Sequence, residues 1–208
     1  MTVLDEGALR TAHMVASVLL GYPDERLYGE RRVLAEAVAG LPEGEVRTRL
    51  AAFLEHTAAT GRAELAAHYV ATFDLKRRCC PYLTYYAYGD TRKRGAALLR
   101  FKHAFRSAGF ELADGELPDH LAVVCELLAR GAVRQGRRLL QENRAGVELL
   151  RKALEAEESP YAGVVAAVLA TLGPASLRDR EAALRLAAEG PPAEEVGLEP
   201  YAVMEASR

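Results

Sequence analysis

The stretch ELPDHLAVVCELL, Glu116 to Leu128, decides how the chain is read. Leu121, Val124, Cys125 and Leu128 fall at i, i+3, i+4 and i+7, so four apolar side chains share one face of a helix and the alternation of a strand is missing. Pro118 suits the first turn of that helix, where its fixed φ is preorganised and its missing N–H would have no partner. Cys125, inside the stripe, reads as core.

The same period recurs on both sides. Toward the N-terminus, one helix is expected from about Gly7 to Leu20, halted by Gly21-Tyr22-Pro23, and a second is capped by Asp24 and ends near Gly40-Leu41-Pro42. A third carries Val46, Leu50, Phe53, Leu54 and Thr57 on one face, and a fourth, about Ala63 to Phe73, sets Leu65, Tyr69 and Phe73 at i+4 steps. Asp90 is the expected N-cap of a helix with Leu98, Leu99, Phe101 and Phe105 on its apolar side, ending at Gly109. Toward the C-terminus, residues 132–157 fit one bent helix or two. Ser159-Pro160 reads as cap and first helical residue, Gly173-Pro174 as a stop, and a last helix follows Ser176. Ala, Leu, Glu and Arg make up 113 of the 208 residues and isoleucine is absent, a composition that favours helices and starves strands. The fold class is therefore all-α, a single-domain bundle of about eight to ten helices over residues 1–189. GPPAEEVGLEPYAVMEASR, 190–208, with four acids against Arg208, reads as a mobile acidic tail.

Charge and cysteine usage exclude several classes. The 27 basic and 29 acidic residues give a net charge of −2, which argues against a general nucleic-acid binder. No stretch reaches the roughly 18 consecutive apolar residues of a membrane span, and the N-terminus lacks the basic n-region of a signal peptide, so no membrane insertion is expected. Three cysteines, two of them adjacent, make a poor disulfide framework and point to a reducing cytoplasm. There is no phosphate loop, no nucleophile elbow and no H-E-x-x-H, so neither an enzyme nor a resident cofactor or metal is expected. Arg77 and Arg78 would favour thiolates at Cys79 and Cys80, but two small residues in an irregular segment is the simpler reading. Between Asp74 and Arg106, nine basic residues face two acids, a local +7 that makes a docking feature or a solvated face. Tyr82, Tyr85, Tyr86 and Tyr88 supply apolar faces with polar tips, the side-chain type of recognition surfaces.

These residues carry a resemblance. FDLKRRC (Phe73–Cys79), YLTYY (Tyr82–Tyr86), GDTRKRG (Gly89–Gly95), ALLRFK (Ala97–Lys102) and ELPDHL (Glu116–Leu121) closely resemble the nitrate reductase molybdenum cofactor assembly chaperones, called NarJ, of the TorD-like redox-enzyme maturation family. LLGYPDE, Leu19 to Glu25, fits more loosely, and Cys80-Pro81 departs from the pattern. The resemblance implies a TorD-like helical chaperone without turnover. Its client would be the catalytic (alpha) subunit of nitrate reductase, held by its N-terminal segment for molybdenum cofactor and iron–sulfur insertion, with transient contact to molybdenum cofactor delivery proteins. It implies an apolar groove for an amphipathic helix. Carried over by residue, Tyr69, Phe73, Tyr82, Tyr85 and Tyr86 would be apolar anchors, Pro118 would fix the helix entrance, and Asp119 would pair with a client arginine. His120 would either tune binding with pH or cap its helix, and Asp90, Arg92 and Arg94 would cap and brace. Another client, bound through the same groove by a helical adaptor, is the alternative. Leu198, Tyr201, Val203 and Met204 are candidates to fold back into that groove.

Overall fold

A computed structural model of the chain describes residues 4–113 and 115–192. Eleven α-helical segments follow one another among these residues: α1 (Glu6–Leu20), α2 (Glu25–Ala39), α3 (Glu45–Ala59), α4 (Arg62–Tyr69), α5 (Tyr85–Tyr88), α6 (Arg92–Ser107), α7 (Leu121–Ala129), α8 (Val133–Glu142), α9 (Arg144–Ala156), α10 (Tyr161–Thr171) and α11 (Leu177–Glu189). Strands are absent from the described residues, apart from an isolated antiparallel bridge between Tyr82 and His120. The tail expected from Gly190 lies outside the described residues except for its first three positions.

Two helices hold the centre because they are apolar on nearly every side. LAVVCELLA forms α7, seven of whose nine residues are buried, and YAGVVAAVLAT forms α10, also with seven buried. α1 packs along α7 and against α10; α3 and α9 pack on α10; α8 follows α7, α11 covers α9, and α2 lies against α1 and α3. Close approach depends on two helical glycines. A Cβ on Gly136 of α8 would come within 2.7 Å of Leu128 Cβ in α7, and one on Gly146 of α9 within 3.0 Å of the Tyr86 ring.

Helix starts are largely local events. Asp5 accepts from the Ala8 amide at 2.7 Å, Asp24 from the Arg26 and Leu27 amides, and Ser176 with Asp179 forms a capping box. Several starts differ from the sequence expectation. Thr91, not Asp90, is the N-cap of α6; Asp90 instead accepts from Arg94 Nη1 at 3.2 Å. Pro118 stands before α7, whose N-cap is His120, because Asp119 and His120 are held in extended pairing with residues 81–83. Pro160 takes the cap position of α10, and the Ser159 hydroxyl lies 3.0 Å from His68 Nε2. The break within 132–157 falls at Asn143, whose side chain donates to the Leu139 carbonyl at 2.8 Å. Leu99, expected on the buried side of α6, is 65% exposed.

The fourth helix also changes character. After Tyr69 it continues as a π-helical turn, Val70–Asp74, closed by the Leu75 amide donating to the Val70 carbonyl at 3.1 Å. The wider turn keeps Tyr69 and Phe73 buried while turning Asp74 and Leu75 outward.

Candidate functional site: an aromatic layer and its rim

Tyr69 and Phe73 point into the molecule from α4 and the π turn. Their rings meet at 4.8 Å and both pack on fully buried Tyr161, at 5.8 and 4.9 Å, with Phe53 on its other flank at 4.7 Å. Burial raises the Tyr69 hydroxyl to about 12, so it stays a neutral donor, bonded to the Leu20 carbonyl. The edge of this layer reaches solvent. Tyr22 packs edge-on against Tyr69 at 5.5 Å and is 54% exposed, and directly after Phe73 in the chain Asp74 and Leu75 are exposed, Leu75 to 74%. The Asp74 carboxylate acts electrostatically on both Tyr69 and Tyr82 and helps to raise their pKa.

The Tyr82–His120 bridge joins the YLTYY segment to the start of α7. Leu83 donates to the Asp119 carbonyl and Leu121 to the Pro81 carbonyl, both at 2.9 Å, and the Tyr82 and His120 rings meet edge to face at 5.2 Å. Asp119 is 0% exposed. Its Oδ2 accepts from the Thr84 amide at 3.2 Å and the Thr84 hydroxyl at 2.5 Å, with Arg94 Nη2 at 3.5 Å. Arg94 also donates to the Thr84 hydroxyl at 3.2 Å and lies over the Tyr82 ring at 5.3 Å. The expected contact between Asp119 and a client arginine is therefore corrected: a carboxylate removed from solvent and engaged by Thr84 and Arg94 braces the YLTYY segment. Pro118 is buried beside it. Arg92 is the first residue of α6.

Of the two readings of His120, the geometry matches the helix cap. Its Nδ1 accepts from the Ala122 amide at 3.2 Å, which caps α7, and burial lowers its pKa to about 4. At neutral pH the ring is uncharged, so a pH response in the physiological range is not available to it.

Tyr85 and Tyr86 belong to a different wall. They border a groove of about 480 Å³ with Arg77, Arg78, Leu149, Ala153 and Leu186, between the short turn Arg77–Cys79 and helices α9 and α11. Both rings are mostly buried, and the Tyr86 hydroxyl lies within donor reach of the Arg78 and Cys80 carbonyls, at 3.1 and 3.0 Å. Lys76 and Arg78 both pair with Glu157 and tie this turn to the end of α9. Of the nominated aromatic residues, Tyr69 and Phe73 lie in the buried layer and Tyr85 and Tyr86 border this groove. Burial pushes the Cys80 thiol up to about 11 and raises that of Cys79, so thiolate is disfavoured at both despite the neighbouring arginines. Among the described residues no group of three or more His, Cys, Asp or Glu is placed to hold a metal ion, and no helix is long and apolar enough to cross a membrane.

Sequence reasoning nominated neither Thr84, nor Tyr161, nor the exposed Tyr22 and Leu75. Thr84 and Asp119 are 35 positions apart, and no local spacing announces the pair. Tyr22 lies in a segment read as a helix stop and as a looser part of the resemblance, not as a site.

An all-helical protein with an exposed aromatic rim fits a binding protein. The model of the nitrate reductase delta subunit family matches residues 41–167. A Bacillus subtilis (strain 168) protein assigned as NarJ, a nitrate reductase molybdenum cofactor assembly chaperone, is 31% identical over 163 residues, 78% of this chain and 89% of the relative. NarJ of Escherichia coli (strain K12), a chaperone of the same description, is 30% identical over 152 residues, 72% of this chain and 64% of that protein. The nitrate reductase-like protein NarX of Mycobacterium tuberculosis (strain ATCC 25618 / H37Rv) is 41% identical over 160 residues, and that match spans 75% of this chain but only 23% of NarX. A crystal structure from Archaeoglobus fulgidus, of a protein assigned to redox enzyme maturation, shares the fold with a TM-score of 0.59 at 22% identity, covering 79% of this chain and 94% of that one. The chain belongs to the nitrate reductase delta subunit family, that of the NarJ-type, TorD-like maturation chaperones.

Proposed function

We propose that this chain is a chaperone of nitrate reductase maturation that acts without turnover. It binds the N-terminal segment of the catalytic subunit as an amphipathic helix and keeps that subunit open to molybdenum cofactor and iron–sulfur insertion before membrane assembly. The observation that carries the reading is the solvent edge of the aromatic layer: Tyr22 packs edge-on against buried Tyr69 and is exposed, and the chain leaving Phe73 exposes Asp74 and Leu75. Apolar side chains of a client helix gain roughly 1.5–3 kcal/mol each by burial on such a surface, and a carboxylate at its edge favours a cationic end. Tyr69 and Phe73 support this surface from below. Tyr82 extends it toward His120, while Asp119 and Arg94 hold the Tyr82 turn in place.

Calorimetric titration with a peptide of about thirty residues from the start of the catalytic subunit of the same genome, beside a scrambled peptide of equal charge, tests the reading. Saturable binding of the native peptide alone is expected. Equal binding of both peptides, or of neither, overturns it.

A further inference from the structure

The cationic stretch seen in the sequence folds into one face. Helices α6 and α8 pack side by side and together carry nine Lys and Arg residues against one carboxylate, Glu142, in a chain whose net charge is −2. Arg92, Leu99 and Arg106 recur at seven-residue steps along α6 and are exposed, while Phe101 and Phe105 on its other side are buried. Among the described residues, no carboxylate forms an ion pair with Lys93, Arg100, Lys102, Arg106 or Arg134; Arg94 pairs with Asp90 and Asp119, and Arg138 with Glu142.

Between the two helices runs a groove of about 730 Å³, lined by Arg100 and His103 from α6 and by Arg134 and Arg138 from α8. Leu99 lines it too and is 65% exposed, the large apolar side chain that α6 and α8 present to solvent. Such a face attracts polyanions in general, and the leucine narrows the choice. The phosphates of a nucleic-acid duplex leave Leu99 in water, and for single strands α6 and α8 expose no Phe, Tyr or Trp on which bases could stack. A protein interface is built round a larger apolar centre than one leucine. At the boundary of an anionic bilayer both parts are satisfied: the leucine enters the edge of the acyl layer, while the long cationic side chains lay their stems along it and hold their charged ends at the phosphates.

We infer that the α6–α8 face docks peripherally on an anionic phospholipid surface, with headgroup phosphates in the groove between the helices and Leu99 in the interfacial layer. No helix among the described residues is long and apolar enough to cross a bilayer, so the contact is a reversible one that salt weakens. It stands apart from the identity of the client, and its test contains no client.

Sedimentation of the full chain with vesicles of phosphatidylglycerol and phosphatidylcholine, about 3:7, beside vesicles of phosphatidylcholine alone, reads the docking. Binding to the anionic vesicles only is expected, weakened at least about tenfold in 1 M salt, where the Debye length is about 3 Å. The double variant Lys102→Glu, Arg134→Glu should lose as much. The charge-matched pair Arg180→Glu, Arg185→Glu, at exposed sites of α11, should bind as the parent chain does, and circular dichroism checks the fold of each. The chain has no tryptophan, so Leu99→Trp places a fluorescent reporter in the face. Its emission should shift to the blue on anionic vesicles and stay unmoved with polyglutamate, a soluble polyanion. No binding to anionic vesicles, equal binding to both kinds, equal loss in the α11 pair, unmoved emission on vesicles, or an equal blue shift with polyglutamate overturns the inference, the last in favour of an acidic protein partner.

Discussion

Asp119 shows how far a single residue can be read. Its place before a helix was legible in ELPDHL; its burial was not, because that depends on Thr84 and Arg94 arriving from elsewhere in the chain. Removing the Asp119 carboxylate leaves the buried Thr84 amide without its acceptor and Arg94 paired only with Asp90 among the described residues, so Asp119→Ala should cost about 3 kcal/mol in urea unfolding. Two histidines make a pH prediction. Thr171 Oγ1 donates to the Val168 carbonyl at 2.6 Å, so it accepts from His13 Nε2 at 2.9 Å, which leaves His13 Nδ1 buried without a partner. Burial lowers the pKa of both His13 and His120 from 6.5 to about 4. Between those values the unfolded chain binds protons that the folded chain refuses, so their stabilisation is complete above about pH 6.5 and declines as the pH falls toward 4. For His13 alone the loss is on the order of 3 kcal/mol. Urea midpoints measured from pH 7.5 down to 4.5 should fall across that window, and His13→Gln should flatten the slope. Glu157, whose carboxyl the Lys76 hydrogen bond holds below its usual 4.5, loses its contribution only at lower pH.

At the scale of elements, helices were legible because apolar residues recur every three to four positions, and a 3.6-residue period survives without knowledge of neighbours. What escaped were the departures from that period. The spacing of Tyr69 and Phe73 suits an α-helix, and nothing local announces that the chain widens into a π turn between them. Helix starts moved by a residue wherever a tertiary partner claimed the expected cap, as His68 does with Ser159. Gly136 tests the packing of α7 on α8. Alanine is the better helix former by about 1 kcal/mol, yet its Cβ would press on Leu128 Cβ and backbone, atoms with no rotamer to escape into. Gly136→Ala should therefore lower stability by about 1–2 kcal/mol net, measured by thermal or urea unfolding. A gain would mean that the two helices separate freely.

For the whole molecule, the division of labour follows from where burial ends. α1, α7 and α10 build a core that spends most aromatic residues on packing, and Tyr161 gathers Phe53, Tyr69 and Phe73 around itself. Tyr22, against Tyr69, and Asp74 and Leu75, after Phe73, are exposed, and a solvent-facing edge cannot be read from a periodicity that merely separates buried from exposed. The sequence resemblance nominated Tyr69, Phe73 and Tyr82, of which Tyr69 and Phe73 are buried, and did not nominate the exposed Tyr22 and Leu75. The measurement that bears most directly on this account is the affinity of the client N-terminal peptide for the chain and for Leu75→Asp, a substitution at an exposed site that leaves the core untouched. The account predicts unaltered folding and thermal stability with binding weakened at least about tenfold, the equivalent of 1.4 kcal/mol. Unchanged affinity in the folded variant would contradict it and move the client to another surface.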